Sequence, residues 1–271
     1  MTTAGPTRAA EFRRLHARGA PLVLPNAWDA GSARLIEACG ATAIATTSSG
    51  VAWAHGYPDG DALPPRILTG AVEAIARVLS VPLTIDIEGG YSADPAAVGE
   101  VVSAVVAGGA VGINIEDGSS PPDLLCAKVA AAKAAATRAG VDLFVNARTD
   151  VYLRGLVPGA HAIEETVVRA RRYHAAGADG LFVPGLIDAD AIRTIANNVT
   201  FPLNVMVRPG LPPVAELARL GVRRVSAGSA IAQAVHGLTR RLATALLTGG
   251  IYDAMLEGTV PYGELNGMFT R

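Results

Sequence analysis

The sequence predicts a single α/β domain folded as a (β/α)8 TIM barrel, and three observations predict it. Its 271 residues suit one barrel, a fold that takes about 250. Eight short β-branched runs alternate with Ala-rich segments of helical spacing, the pattern of parallel strands joined by crossover helices. Several helices end in the same punctuation before the next strand, ACGATA, VAGGAVG, RAGVDL, AAGADG and RLGVRR, where a Gly supplies the left-handed cap that turns the chain back. An open doubly wound sheet changes order and spacing partway, so this regularity favours a closed barrel.

In order, the strands are LVLPN near 22–26, AIATTS at 43–48, LTIDIE at 83–88, VGINIE at 111–116, LFVNAR at 143–148, GLFVPG at 180–185, PLNVMV at 202–207 and RRVSAG at 223–228. Between Ser48 and Arg66, WAHGYPDGDALPP reads as a longer loop over one barrel mouth. No linker divides the chain, so residues 1–271 form one domain. Residues 249–271 follow the last helix as a C-terminal extension whose apolar residues serve no strand, and they are expected to pack on the barrel or on a neighbouring subunit.

A net charge of -1 gives no field to concentrate a nucleic acid or hold an anionic membrane surface, which leaves a small-molecule partner. Charges interrupt every apolar run before the roughly 18 residues a membrane span needs. The polar, basic start MTTAGPTRAAEFRRLHARG lacks the apolar stretch of a secretory signal. Two cysteines, Cys39 and Cys126, form neither a disulfide framework nor a metal motif, and with the other features they suggest a reducing cytoplasm. Cys39 is expected to fill a gap in helix packing.

Reactive groups of such a barrel sit where the strands end. That filter selects Asn26, Trp28 and Asp29 after the first strand, and Ser48, Ser49, His55, Tyr57 and Asp59 after the second. It adds Asp86 and Glu88, Glu116 and Asp117, Arg148 and Asp150, Asn204 and Arg208, and Ser229 on the later ones. IDIEGG is the sharpest motif: Asp86 and Glu88, two residues apart on a strand, are expected to share one face. NIED brings Glu116 to the same height on the next strand. Carboxylates gathered there repel unless a cation neutralises them, and an oxygen-only set suits Mg²⁺ or Mn²⁺. The competing reading is an ion network with Arg148.

Arg148, in NARTD, is placed to grip a substrate carboxylate through two parallel hydrogen bonds, or to pair with Glu116 or Asp150. TTSSG offers hydroxyls and N–H groups as a second carboxylate anchor, and SAGSA is either a phosphate cradle or an ordinary N-cap. Lys128 and Lys133, the two lysines, lie in the fourth helix, which disfavours a Schiff-base aldolase. His16, His161, His174 and His236 fall on helices as surface or packing residues, and His55 alone approaches the mouth.

Taken together, NAWDAGSARLIEACGATAIATTSSG, GYPDGD, IDIEGGY, NIED and NARTD resemble the isocitrate lyase and phosphoenolpyruvate mutase superfamily over roughly residues 15–245. That resemblance implies Mg²⁺, a 2-oxo or 2-hydroxy acid substrate, and cleavage or formation of C–C or C–P bonds through an enolate. By position, Asp86 would be the direct metal ligand, with Asp59, Glu88 and Glu116 acting through bound water. Ser49, Gly50, Val51 and Arg148 would hold the substrate, with Asn204 a further substrate-binding candidate from its strand-end place, and exchange of the last helices would make a homo-oligomer, a dimer or tetramer.

One departure stands out. The lyases carry a mobile gating loop with an acidic Cys after the fourth strand, whereas GSSPPDLLCAKVAAAK is too short for it. Cys126 lies beyond Pro122 inside a helix, so the proton donor falls to Tyr57, His55 or a bound water. The first functional reading is a metal-dependent lyase acting on an isocitrate-like acid or decarboxylating oxaloacetate. The alternatives are a C–P hydrolase or mutase, a 2-oxo acid binding protein with weakened turnover, and a metal-dependent aldolase of another barrel family.

Overall fold

The computed structural model describes residues 4–17, 19–159 and 161–270, so the expected domain is described apart from residues 1–3, 18, 160 and 271. Nine parallel strands form one sheet: β1 (Leu22–Leu24), β2 (Asn26–Ala27), β3 (Ile44–Thr46), β4 (Leu83–Asp86), β5 (Gly112–Glu116), β6 (Phe144–Arg148), β7 (Gly180–Phe182), β8 (Leu203–Met206) and β9 (Arg224–Ser226). Eight runs become nine strands because Pro25, which has no N–H for the ladder, interrupts the first. β1 pairs with β9 and β2 with β3, so the two halves of that run bring the sheet round into a barrel.

The helices between them are α2 (Ala30–Ala38), α3 (Ser48–Ala54), α4 (Pro65–Val78), α5 (Pro95–Ala107), α6 (Pro122–Arg138), α7 (His161–Ala175), α8 (Ala189–Asn198), α9 (Val214–Arg219) and α10 (Ala230–Gly249). Strand alternation sends Ile85, Ile113, Ile115 and Val145 outward against Val72, Val102 and Val129 of the helix ring. Their neighbours Thr84, Asp86, Asn114 and Asn146 point inward and are also buried, so this barrel has a polar axis inside an apolar sleeve. Asp29, Asp94 and Asp188 cap α2, α5 and α8 by accepting backbone N–H groups, which assigns Asp29 to structure.

Helix α1 (Ala4–Leu15) closes the end where the strands begin, packing Phe12 against Leu22, Val111 and Phe144. Arg13 ties it down through Asp142 and, at 2.9 Å, Asp179.

Three expectations need correction. The Ser48–Arg66 segment opens with helix α3 rather than a loop, because Ser49 to Ala52 are buried against the barrel. Cys39 is exposed at the end of α2 and fills no gap. SAGSA puts Ser229 at the N-cap of α10, yet its side chain makes no capping bond.

The exposed apolar segment also begins well before residue 249. Of α10 only Ala232 is buried, while Leu238 and Leu246 are exposed. Beyond it a 3-10 turn (Asp253–Met255) and α11 (Tyr262–Gly267) leave Leu256 and Tyr262 71% and 84% exposed. The tail returns to the barrel near its end, where the Met268 carbonyl accepts from Arg34 Nε at 3.0 Å. No helix among the described residues is long and apolar enough to cross a membrane.

Candidate active site

Two small cavities adjoin at the mouth where the strands end. The first, about 200 Å³, is floored by Asp86 and Asn114 and walled by Asn26, Ser48, Ser49, Asp59, Arg148 and Ser229. The second, about 210 Å³, is lined by Asp61, Glu88, Glu116, Asp117, Lys128 and Arg154, with the Gly118–Ser120 turn at its edge. The four expected metal carboxylates are therefore divided, Asp59 and Asp86 lining one cavity and Glu88 and Glu116 the other.

The shared face expected for Asp86 and Glu88 is not observed, because β4 ends at Asp86 and Glu88 adopts φ +53°, outside the strand's alternation. Its carboxylate instead accepts the backbone N–H groups of Gly60, at 2.7 Å, and Asp61, and also the Tyr91 hydroxyl at 3.2 Å. Asp61 returns the contact, accepting from the N–H groups of Gly89 at 3.1 Å and Tyr91 at 2.9 Å. Lys128 Nζ donates to the Gly89 carbonyl at 2.6 Å, so a lysine on α6 reaches the mouth after all. Asp61 and Tyr91 share the left-handed backbone, at φ +58° and +60°. Three such non-glycine residues in two touching loops mark strain held in place by this hydrogen bonding.

Paired ends of β5 and β6 bring Arg148 to Glu116, with Nη1 2.5 Å from Oε2. Arg148 also grips Asp150, Nε to Oδ1 at 2.7 Å and Nη2 to Oδ2 at 3.1 Å. Both expected salt bridges exist, and of the five N–H donors of the guanidinium two remain for a ligand in the cavity it lines. Asp117 braces the pair from below: it accepts from the Asp150 N–H at 2.9 Å, Arg169 Nη1 at 2.8 Å and the Tyr173 hydroxyl at 2.5 Å.

Electrostatics match this crowding. Burial raises the Glu116 carboxyl to about 8 despite Arg148, with Asp86 and Asp150 adding to the rise. Burial likewise raises Asp86, opposed by Arg148 and by hydrogen bonds from the Glu88 N–H and the Asn114 side chain. Glu88 rises for the same first reason, and the charge of Asp59 adds to it.

Several sequence-selected residues lie elsewhere. Ser49 reaches the first cavity and shares a hydrogen bond with Thr47 at 3.1 Å, but Gly50 and Val51 sit behind it on α3. A Cβ on Gly50 would fall 2.8 Å from both Thr47 Cγ2 and Trp28 Cβ, so close packing, not a ligand, requires that glycine. His55 is exposed with Nδ1 2.9 Å from the Val51 carbonyl, Tyr57 packs at the edge of the core, and neither lines either of these two cavities. Asn204 lies fully inside the barrel, donating to the Val205 carbonyl and accepting from Asn146 and Ser226, one layer beneath the cavity. Sequence reasoning missed Asn114, Arg224, Asp61, Tyr91 and the reach of Lys128. Asp61 within GYPDGD, Tyr91 at the end of IDIEGGY and Asn114 at the start of NIED lay inside motifs already singled out, whereas Arg224 and Lys128 did not.

Among the described residues no three acidic, histidine or cysteine side chains converge as a ready-made ligand cage. The mouth still fits a hard cation. Mg²⁺ keeps most of its waters and binds through one or two carboxylates, and Asp86 is a buried carboxylate facing an oxygen-lined cavity with Asp59 across it.

A parallel barrel with acids and an arginine gathered at its strand ends has the arrangement of an α/β-barrel enzyme. Residues 12–247 match the phosphoenolpyruvate phosphomutase family, and the chain belongs to that family, within the phosphoenolpyruvate mutase and isocitrate lyase superfamily. It is 42% identical over 264 residues to an uncharacterized protein of Mycobacterium tuberculosis H37Rv, covering 94% of each chain. It is 31% identical to the oxaloacetate decarboxylase of Paraburkholderia xenovorans, over 83% of this chain and 77% of that one. Among solved structures, a Burkholderia cenocepacia J2315 protein provisionally described as a phosphonomutase superposes with a TM-score of 0.84 at 40% identity, over 90% of this chain and 99% of that one. A 2,3-dimethylmalate lyase of the superfamily superposes with a TM-score of 0.83 at 25% identity, covering 99% and 95%.

Proposed function

We propose that this enzyme is a Mg²⁺-dependent lyase that breaks the C3–C4 bond of a small 2-oxo acid, or the C2–C3 bond of a 2-hydroxy acid, with oxaloacetate decarboxylation as its leading reaction. The observation that carries the reading is Asp86, a buried carboxylate on the floor of a cavity of about 200 Å³ that Arg148 also lines. Asp86 would hold the ion directly, and Asp59, Glu88 and Glu116 would hold its waters. The bound ion would withdraw electron density from the 2-oxo group and stabilise the negative charge left when the bond breaks.

The protein's own groups supply the rest. The two unused N–H donors of Arg148 orient a substrate carboxylate, and the Ser49 hydroxyl takes a second carboxylate oxygen from the opposite wall. Glu116 and Asp150 fix the guanidinium so that little freedom is lost when substrate arrives. Neither Tyr57 nor His55 lines the cavity, so the proton that completes the reaction comes from water entering the mouth.

Likeness to an oxaloacetate decarboxylase and a 2,3-dimethylmalate lyase supports the C–C reading. Likeness to a protein provisionally described as a phosphonomutase supports a C–P reaction as the second. The exposed apolar strip of α10 and the tail is further proposed to join copies of the chain into a homo-oligomer, and no nucleic acid or membrane partner is proposed. The test is to titrate Mg²⁺ with oxaloacetate, isocitrate, 2-methylisocitrate and phosphonopyruvate, for wild type and Asp86→Ala. Turnover of a keto acid that disappears in the variant supports the lyase; tight binding without turnover of any of the four replaces it with a binding protein.

A further inference from the structure

Arg224, on β9, is 1% exposed inside the barrel, and no carboxylate touches it. Its Nε and Nη1 have no hydrogen-bond partner, the guanidinium lies over the Phe12 ring at 6.0 Å from its centre, and Nη2 donates to Asn114 Oδ1 at 3.1 Å. A guanidinium buried this way is destabilising compared with a methionine or leucine of similar size, so packing alone does not account for it. The one side-chain hydrogen bond it makes leads to a residue directly beneath the site. Asn114 Oδ1 accepts from Arg224 and, at 2.9 Å, from Asn146 Nδ2, while Asp86, the residue paired with Asn114 across β4 and β5, lines the same cavity beside the amide.

An isolated asparagine amide can turn over and present either its oxygen or its NH2 group. Arginine only donates, so a guanidinium beneath Asn114 admits the oxygen and rejects the NH2 group. We propose that Arg224 is a positioning residue for the active site: it locks the Asn114 amide so that an NH2 group, never an oxygen, faces Asp86. A donor held against that carboxylate leaves its second oxygen aimed into the cavity, and a flipped amide would set two oxygens against each other. The consequence for the ion rests on the proposed metal role of Asp86; the orientation itself does not.

The test follows the Asn114 side-chain NH2 resonances, assigned by their loss in Asn114→Asp, together with Mn²⁺ binding measured by electron paramagnetic resonance. In wild type and in Arg224→Lys, which keeps a donor, one NH2 pair protected from solvent exchange is expected, with Mn²⁺ affinities within about twofold of each other. In Arg224→Met the pair should broaden or double, and Mn²⁺ affinity should fall about tenfold, the scale of losing the support of a metal ligand. An unchanged NH2 pair in Arg224→Met overturns the proposal. So does an unprotected or doubled pair in wild type, a result that needs no Arg224 variant to fold. Undiminished Mn²⁺ binding in Asp86→Ala would defeat the metal reading instead and leave the resonance test standing.

Discussion

Glu88 and Asp61 hold each other's backbone: each carboxylate accepts two N–H groups from the loop that carries the other. The clasp fixes the loop after α3 against the turn after β4, and so fixes Asp59 across the cavity from Asp86. The two side chains should act as one unit. A double-mutant cycle on Glu88→Gln and Asp61→Asn, read by urea unfolding, should give a coupling of about 1–2 kcal/mol. Additive effects would show the clasp to be incidental.

Arg148 spans Glu116 and Asp150 with a planar fork that a lysine ammonium cannot reproduce. Arg148→Lys should raise KM for the acid substrate about tenfold or more and lower kcat less, since the contact is made already in the ground state. Steady-state kinetics at saturating Mg²⁺ checks this. A loss confined to kcat would move Arg148 from binding to the chemical step.

Asp117, although it lines the second cavity, spends its carboxylate on scaffolding, holding the Asp150 N–H, Arg169 and Tyr173 at once. Asp117→Asn removes a buried charge and turns one acceptor into a donor facing donors. Stability should fall by about 3 kcal/mol, the usual cost of breaking a buried pair from one side. Thermal unfolding with substrate absent measures it.

His16, at the closed end of the barrel, sets an acid limit. It is 5% exposed, stacks on Phe144 at 4.1 Å between ring centres, and burial, with Arg224 nearby, lowers it to about 3. Between about pH 6.5 and 3 the unfolded chain binds a proton there that the folded chain refuses, so folding stability should decline as pH drops through that window. The upper bound is about 5 kcal/mol, at roughly 1.4 kcal/mol per pKa unit. His16→Phe should flatten that part of the stability profile. An unchanged acid slope in the variant would assign the loss to other groups.

Much of this was legible in the chain because the signals are local and periodic. The runs ending at Thr46, Asp86, Glu116 and Arg148 announce strands, and their last polar residues announce the mouth. Glu88 was misplaced because strand periodicity stops where its backbone turns left-handed, and the Gly89–Gly90 pair beside it hides that from pattern reasoning. Asn114 and Arg224 read as ordinary strand residues and Asn204 as a substrate ligand, since sequence shows which side of a strand a residue takes but not what crosses the barrel to meet it. Helix α3 escaped because its seven residues are too few to show an amphipathic period.

The most direct test of the central claim is pyruvate release from oxaloacetate as Mg²⁺ is titrated, corrected for the metal-catalysed reaction without protein, in wild type and Asp86→Ala. Saturable dependence on Mg²⁺ is expected, with a fall of about 10³-fold or more in the variant, the several kcal/mol a bound ion supplies. Turnover independent of the metal, or equal in the two proteins, would contradict a metal held by Asp86.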